Sequence, residues 1–109
     1  MHRDHVPEVP VGCELLASTP ISPNHGFIRY HPSSSRKSLS DVQVFCVQGH
    51  PEFTESIVEK IVNLRESTGV IPKPIADQAR TRAKWRNDGV SVIGNVVWQI
   101  LLGEKQKSQ

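Results

Sequence analysis

The spacing of apolar residues changes rhythm near residue 53. Before it, short apolar runs alternate with turns, and Pro7, Pro10, Pro20, Pro23 and Pro32 punctuate them. CELLAST (13–19) and GFIRY (26–30) predict short strands, and VQVFCV (42–47) predicts a stronger one. Because VQVFCV is almost continuously apolar, it is expected to be an interior strand covered on both faces. The polar, serine-rich PSSSRKSLSD between the last two strands reads as a surface loop. After Glu52 the period becomes helical. In TESIVEKIVNLREST, Ile57, Ile61 and Leu64 form one stripe that Val58 and Val62 widen, with Thr54 as N-cap, Glu55 in the first turn and Gly69 as the stop. PKPIADQARTRAKWRNDG predicts a second helix ending near the Asn87-Asp88-Gly89 turn. VSVIGNVVWQILLG predicts a third, with Ile93, Val96, Val97, Ile100 and Leu101 on its apolar face and Gly103 beyond its end. Strands followed by helices predict a piece of an α/β layered fold, with strands and the His-Pro-Glu segment over 1–52 and a helical part over 53–102.

Composition narrows the function. With 109 residues, 37% hydrophobic and 22% charged, the chain has room for one globular domain. A formal charge of +2 is too mild to imply a nucleic-acid or anionic-membrane partner. No apolar run reaches the ~18 residues of a membrane span, and MHRDHVPEVP has no signal-peptide core, so the expected location is cytoplasmic. Cys13 and Cys46 lack C-x-x-C spacing, so no disulfide framework, metal site or cofactor is implied.

The chemistry concentrates in VFCVQGHPEF, residues 44–53. Strand alternation places Gln48 and His50 on the face of Cys46, and Glu52 joins them if the chain stays extended. Pro51 cannot donate a sheet hydrogen bond and marks the end of the strand. His50 and Glu52 are thus expected at the carboxyl end of an interior strand, where open α/β sheets place their sites. A carboxylate on one ring nitrogen fixes the tautomer and leaves the other nitrogen to take a proton from a thiol or hydroxyl. The plain alternative is a pair of exposed polar residues near a turn.

The surroundings favour the first reading. VQGHPEF, preceded by an apolar strand and followed by an amphipathic helix, resembles the C-terminal triad motif of class I glutamine amidotransferases. MHRDHVPEVPVGCELLAST is similar to that family's segment in which a His-x-Asp-x-Val strand leads through a proline-glycine turn into a strand ending Ala-Ser/Thr-Ser/Thr. The likeness is greatest to the stand-alone, GMP-synthase-like amidotransferases of fungi. It covers residues 1 to about 69 well and, through NDGVSVIGNVV, the last helices more loosely. It implies the C-terminal part of a three-layer, flavodoxin-like domain that hydrolyses the side-chain amide of glutamine with a Cys-His-Glu triad. His50 would be the general base and Glu52 its orienter; the substrate-binding residues stay unassigned. The family's nucleophile sits in a G-x-C-x-G elbow upstream of these blocks, and the present sequence contains no such elbow.

Neither cysteine replaces it on a first reading. Cys46 lies four residues before His50 on one strand, roughly 13 Å away at about 3.3 Å per residue, whereas proton transfer needs about 3 Å. Cys13 takes a position where the family carries a bulky apolar residue, so it reads as core. His2, Asp4 and His5 make a weak metal motif, since alternation puts His5 opposite the other two; the resemblance implies instead that His2 and Asp4 lie on a strand beside the active site, either supporting the catalytic groups or as structural residues. Arg80, Arg82, Lys84 and Arg86 around Trp85 invite an RNA-binding reading, which a solvated helix face explains more simply. Arg36, Lys37, Ser38 and Ser40 could form a kinase site.

Without upstream strands, VQVFCV is expected to leave unpaired backbone groups and an open apolar face, so the isolated chain is expected to be marginally folded, aggregation-prone or held by a partner. Met1 stands where a family member could carry an internal methionine, which would fit a start inside a longer frame. Three readings follow: an amidotransferase remnant without independent turnover, a non-catalytic module whose open sheet edge pairs with a complete amidotransferase, or part of a longer active enzyme.

Overall fold

The computed structural model describes residues 2–35 and 37–103. The readings of Met1 and Arg36 fall outside the described residues. The chain forms two compact units: one holds the residues up to His50 together with those from Asn95 onward, and the other runs Pro51–Gly94.

The first unit is built on a three-stranded sheet. Strands β1 (Glu14–Ala17), β2 (Gly26–Tyr30) and β3 (Val42–Val47) lie in the order β1-β2-β3, and both pairings are antiparallel. Phe27 stands opposite Cys46 and Ile28 opposite Phe45. Alternation makes Ile28 the buried apolar centre of this unit, 4% exposed, while every residue of β1 is exposed. Among the described residues β3 pairs with β2 alone and its other edge is open, the situation expected of VQVFCV where the strands it would otherwise neighbour are not in the chain. A continuous apolar run signals burial on both faces only when helices cover both, and in β3 Gln43 and Val44 are exposed while the other four residues are partly covered. A short 3-10 turn, Leu39–Asp41, precedes β3, and helix α3 (Asn95–Leu102) packs against it. Within α3, Val96 and Ile100 of the expected stripe are half-buried, but Leu101 is 71% exposed.

The second unit is a helix pair, α1 (Glu55–Ser67) and α2 (Lys73–Ala83), followed by a wide π-helical turn, Gly89–Gly94. Thr54 caps α1 as its sequence predicts, its hydroxyl accepting from Ile57 N at 3.4 Å. Gly69 ends it with φ +73, which lets Gly69 N donate to Glu66 O (3.0 Å) and Val70 N to Arg65 O (2.9 Å), a Schellman closure. The buried stripe is rotated from the expected one. Val62 is fully buried, Val58 and Ile61 flank it, and Leu64 points outward at 62% exposure. The α2 side of this core is Ala76, also fully buried.

Across the pair, Arg80 binds three residues. Its Nη2 and Nε donate to Asn63 Oδ1 at 2.8 and 3.2 Å, Nη1 donates to Asp77 Oδ1 at 3.0 Å, and the guanidinium also pairs with Glu66. Arg86 in turn pairs with Asp88 at 3.0 Å. Two cations of the basic cluster near Trp85, Arg80 and Arg86, therefore hold neighbouring side chains of their own unit.

Candidate functional site

His50 is exposed and closes the first unit; Glu52 is exposed and lies at the start of the second. The extended course that would put both on the Cys46 face stops early. β3 ends at Val47, Gln48 and Gly49 bend, and Pro51-Glu52 form a turn. Each residue is therefore positioned by its own unit, and the two are described separately.

On the second unit, the Glu52 turn is held by the Asn-Asp-Gly segment. Asn87 Nδ2 donates to Phe53 O at 2.5 Å, while Asn87 Oδ1 accepts from Gly89 N at 2.8 Å. Gly89 lies so close to the turn that a Cβ on it would stand 2.1 Å from Pro51 O and 2.6 Å from Pro51 Cα. Only glycine permits that backbone approach. The sequence marked residues 87–89 as a helix end and not as the support of the Glu52 turn, because the contact spans 34 residues.

On the first unit, the face that carries Cys46 leads to a cavity of about 260 Å³ lined by Val6, Asn24, His25, Phe27, Cys46 and Gln48, among others. His25 is in phase with Phe27, which pairs with Cys46, and His25 O accepts from Gln48 N at 2.9 Å. Asn24, 4% exposed, secures the N-terminal segment by donating from Nδ2 to Val6 O (3.1 Å) and Glu8 O (3.2 Å). Two buried polar atoms lack a hydrogen-bond partner among the described residues, Asn24 Oδ1 and His25 Nδ1. Burial, then the nearby His2, pushes the His25 imidazole below its ordinary range, so it is neutral at pH 7. Sequence reasoning missed His25 and Asn24. Only the β2–β3 register brings them beside Cys46.

His2 and Asp4 do not form the strand that the resemblance implies; residues 2–12 contain no strand. His2 Nδ1 lies 2.9 Å from Asp4 O, and its ring tilts against His25 with centroids 5.5 Å apart. No group of three or more His, Cys, Asp or Glu able to hold a metal ion occurs among the described residues. In the serine-rich loop, Ser38 Oγ donates to Asp41 Oδ2 at 2.7 Å. Hydrogen bonds from Ser38 and Ser34 hold the Asp41 carboxyl below its usual range. A phosphate on Ser38 would face that carboxylate, which opposes the kinase reading. No helix among the described residues is long and apolar enough to cross a membrane.

No protein-family model matches the chain, and no solved structure matches it. A curated relative is similar in part, and it is a class I glutamine amidotransferase-like enzyme. It is gamma-glutamyl peptidase 3 of Arabidopsis thaliana, 31% identical over 80 residues, which cover 73% of this chain and 28% of that protein. The chain thus spans little more than a quarter of the relative's length. Whatever its start, a stretch of 80 residues in a chain of 109 contains residues 30–80, and with them VQGHPEF.

Proposed function

We propose that this chain carries the proton-handling part of a class I glutamine amidotransferase-like hydrolase that cleaves amide bonds at a γ-glutamyl carbonyl. One His50 ring nitrogen takes the proton of a thiol while Glu52 orients the ring from the other nitrogen. The thiolate attacks the γ-carbonyl, ammonia or an amine leaves with the proton from His50, and water hydrolyses the thioester. The thiol belongs to a polypeptide segment outside these 109 residues, so this chain alone does not turn over. The observation that carries the reading is the partial likeness to gamma-glutamyl peptidase 3 over a stretch that must include VQGHPEF. The exposure of His50 and Glu52 and the support given to the Glu52 turn by Asn87 are consistent with it.

Purified 109-residue protein is expected to release neither ammonia from glutamine nor the amine from γ-glutamyl peptides. Release that disappears in His50→Ala would overturn the claim that the thiol comes from elsewhere. The intact mass of the endogenous protein, with translation of the frame upstream of Met1, tests the γ-glutamyl reading itself. That reading expects a G-x-C-x-G elbow in the same polypeptide or in a stoichiometric partner, and its absence from both defeats it.

A second reading rests on β3, whose uncharged Val42–Val47 lies at the sheet edge among the described residues. An added strand from a complete amidotransferase would pair there and make the chain a non-catalytic regulatory module. Co-purification at fixed stoichiometry with such an enzyme, without any gain of turnover through His50, distinguishes it.

A further inference from the structure

We propose that the open edge of β3 pairs with the same edge of a second copy of this chain, antiparallel about a twofold axis at Cys46. The backbone phase of β3 fixes which of its groups are available. His31 N donates to Asp41 O at 2.7 Å and Gln48 N to His25 O at 2.9 Å, so both ends of the ladder show which residues turn towards β2. Between those ends Arg29 stands opposite Val44 and Phe27 opposite Cys46. Neighbouring residues of a strand turn their backbone groups to opposite sides. Val44 and Cys46 therefore bond to β2, while Phe45 and Val47 direct N–H and C=O to the other edge. Among the described residues no strand meets them there. Gln43 is excluded from this regular set, because the register shifts between Arg29 and Tyr30 and leaves it in a bulge.

This edge is matched by itself. A twofold axis perpendicular to the sheet keeps every side chain on its own face, so a residue meets one an even number of positions away. In one such register Phe45 exchanges both backbone bonds with Val47 of the partner subunit, and Val47 does the same with Phe45 of the partner subunit. None of those groups is then left unmet. Shifting the axis to Phe45 would instead set Val47 against the Gln43 bulge. Val42–Val47 carries no charge, so no like charges are opposed, and neither lysine nor proline guards the edge. The contact is isologous and closes on pairing, and this self-matching favours a second copy over a strand from another enzyme. The register also puts Cys46 opposite Cys46 of the partner subunit in a non-hydrogen-bonded pair, whose Cα atoms stand about 4.5 Å apart, within reach of a disulfide. The inference rests on β3 and on neither His50 nor Glu52, so its failure leaves the hydrolase reading standing.

Cys46 and Cys13 are both free and both partly covered, and Cys13 precedes β1 at the far side of the sheet, so it serves as an internal control. Sedimentation velocity of the full chain in reducing buffer should show a concentration-dependent dimer. Val47→Pro removes an outward N–H and leaves the bonds to β2 in place, so it should raise the dimer dissociation constant about tenfold while the β2 amides keep their protection. Oxidised glutathione then reads the register in the unsubstituted chain. Two thiols lose two protons and two electrons to form one disulfide, and one oxidised glutathione is reduced to two glutathione thiols. Peptide mass spectrometry without reduction should find Cys46 joined to Cys46. Cys46→Ser should abolish that crosslink and keep the dimer, and Cys13→Ser should keep both. A chain that stays monomeric, a dimer indifferent to Val47→Pro with β2 intact, or a crosslink that does not favour Cys46 overturns the proposal.

Discussion

The two units satisfy their polar groups in opposite ways. In the helix pair, Arg80 is bound by Asn63, Glu66 and Asp77, the end of α1 closes on Gly69, and Asn87 uses both ends of its amide. In the sheet unit, β3 leaves one edge unpaired among the described residues, β1 is exposed throughout, and Asn24 and His25 each keep a buried atom without a partner. Orphan groups and open edges cost stability where they remain, and both are resolved by contact with something else. The helix pair thus meets its polar groups internally, whereas the sheet unit keeps unmet groups at one strand edge and beneath its surface.

The largest expected effect lies where the Glu52 turn meets residue 89. Gly89→Ala forces a methyl against the Pro51 backbone, which cannot yield as a flexible side chain would, and should cost about 3 kcal/mol by urea unfolding. If the loss is negligible, the helix pair does not hold that turn as tightly as described. Next is the centre of the same unit. Val62→Ala should cost about 2 kcal/mol, with amide protection falling in α1 and α2 before it falls in β2. A uniform fall across both units would erase the contrast between them. Thr54→Ala removes the α1 cap and should cost about 1 kcal/mol, seen as earlier exchange of the first-turn amides.

The smallest effect separates the units by pH. His25 titrates below its unfolded value of 6.5 in the folded chain, so the unfolded state binds the proton first as pH falls. The stability it contributes is whole above pH 6.5 and is lost as pH drops through the depressed folded value. Asp77 on the helix pair is also depressed, by its hydrogen bond from Lys73, but from 3.8, so its loss begins only in stronger acid. As the pH falls below 6.5 and through the depressed folded value of His25, amide protection should weaken in β2 and persist in α1, and His25→Phe should flatten the β2 response. An equal response in both units would place the titration elsewhere.

What the sequence disclosed follows from the range of the interactions. The limits of β2 and β3, the Thr54 cap and the Gly69 stop all depend on neighbours within a few residues, and each appears where the pattern puts it. The order of the strands does not have that property. An apolar run such as Val42–Val47 specifies what its side chains avoid and not which strand lies beside them, so its pairing with β2 and its open second edge among the described residues are read from the structure. The outward turn of Leu64 has the same origin, since Ile57, Ile61 and Leu64 form a valid stripe until α2 settles against Val62. Of the candidate site, His50 and Glu52 are legible as a motif because only Pro51 separates them in sequence. Asn87, Asn24 and His25 act across 34, 18 and 23 residues, and nothing local announces them.

The Asn87-Asp88-Gly89 turn also gives the molecule a chemical clock. An aspartate followed by glycine ages by cyclising onto the next backbone nitrogen and reopening as isoaspartate. In this turn that nitrogen already donates to Asn87 Oδ1 at 2.8 Å, and the Asp88 carboxylate is engaged by Arg86. Ring closure must wait until the turn opens, so isoaspartate accumulating at position 88 during storage would record how often the grip on the Glu52 turn is released.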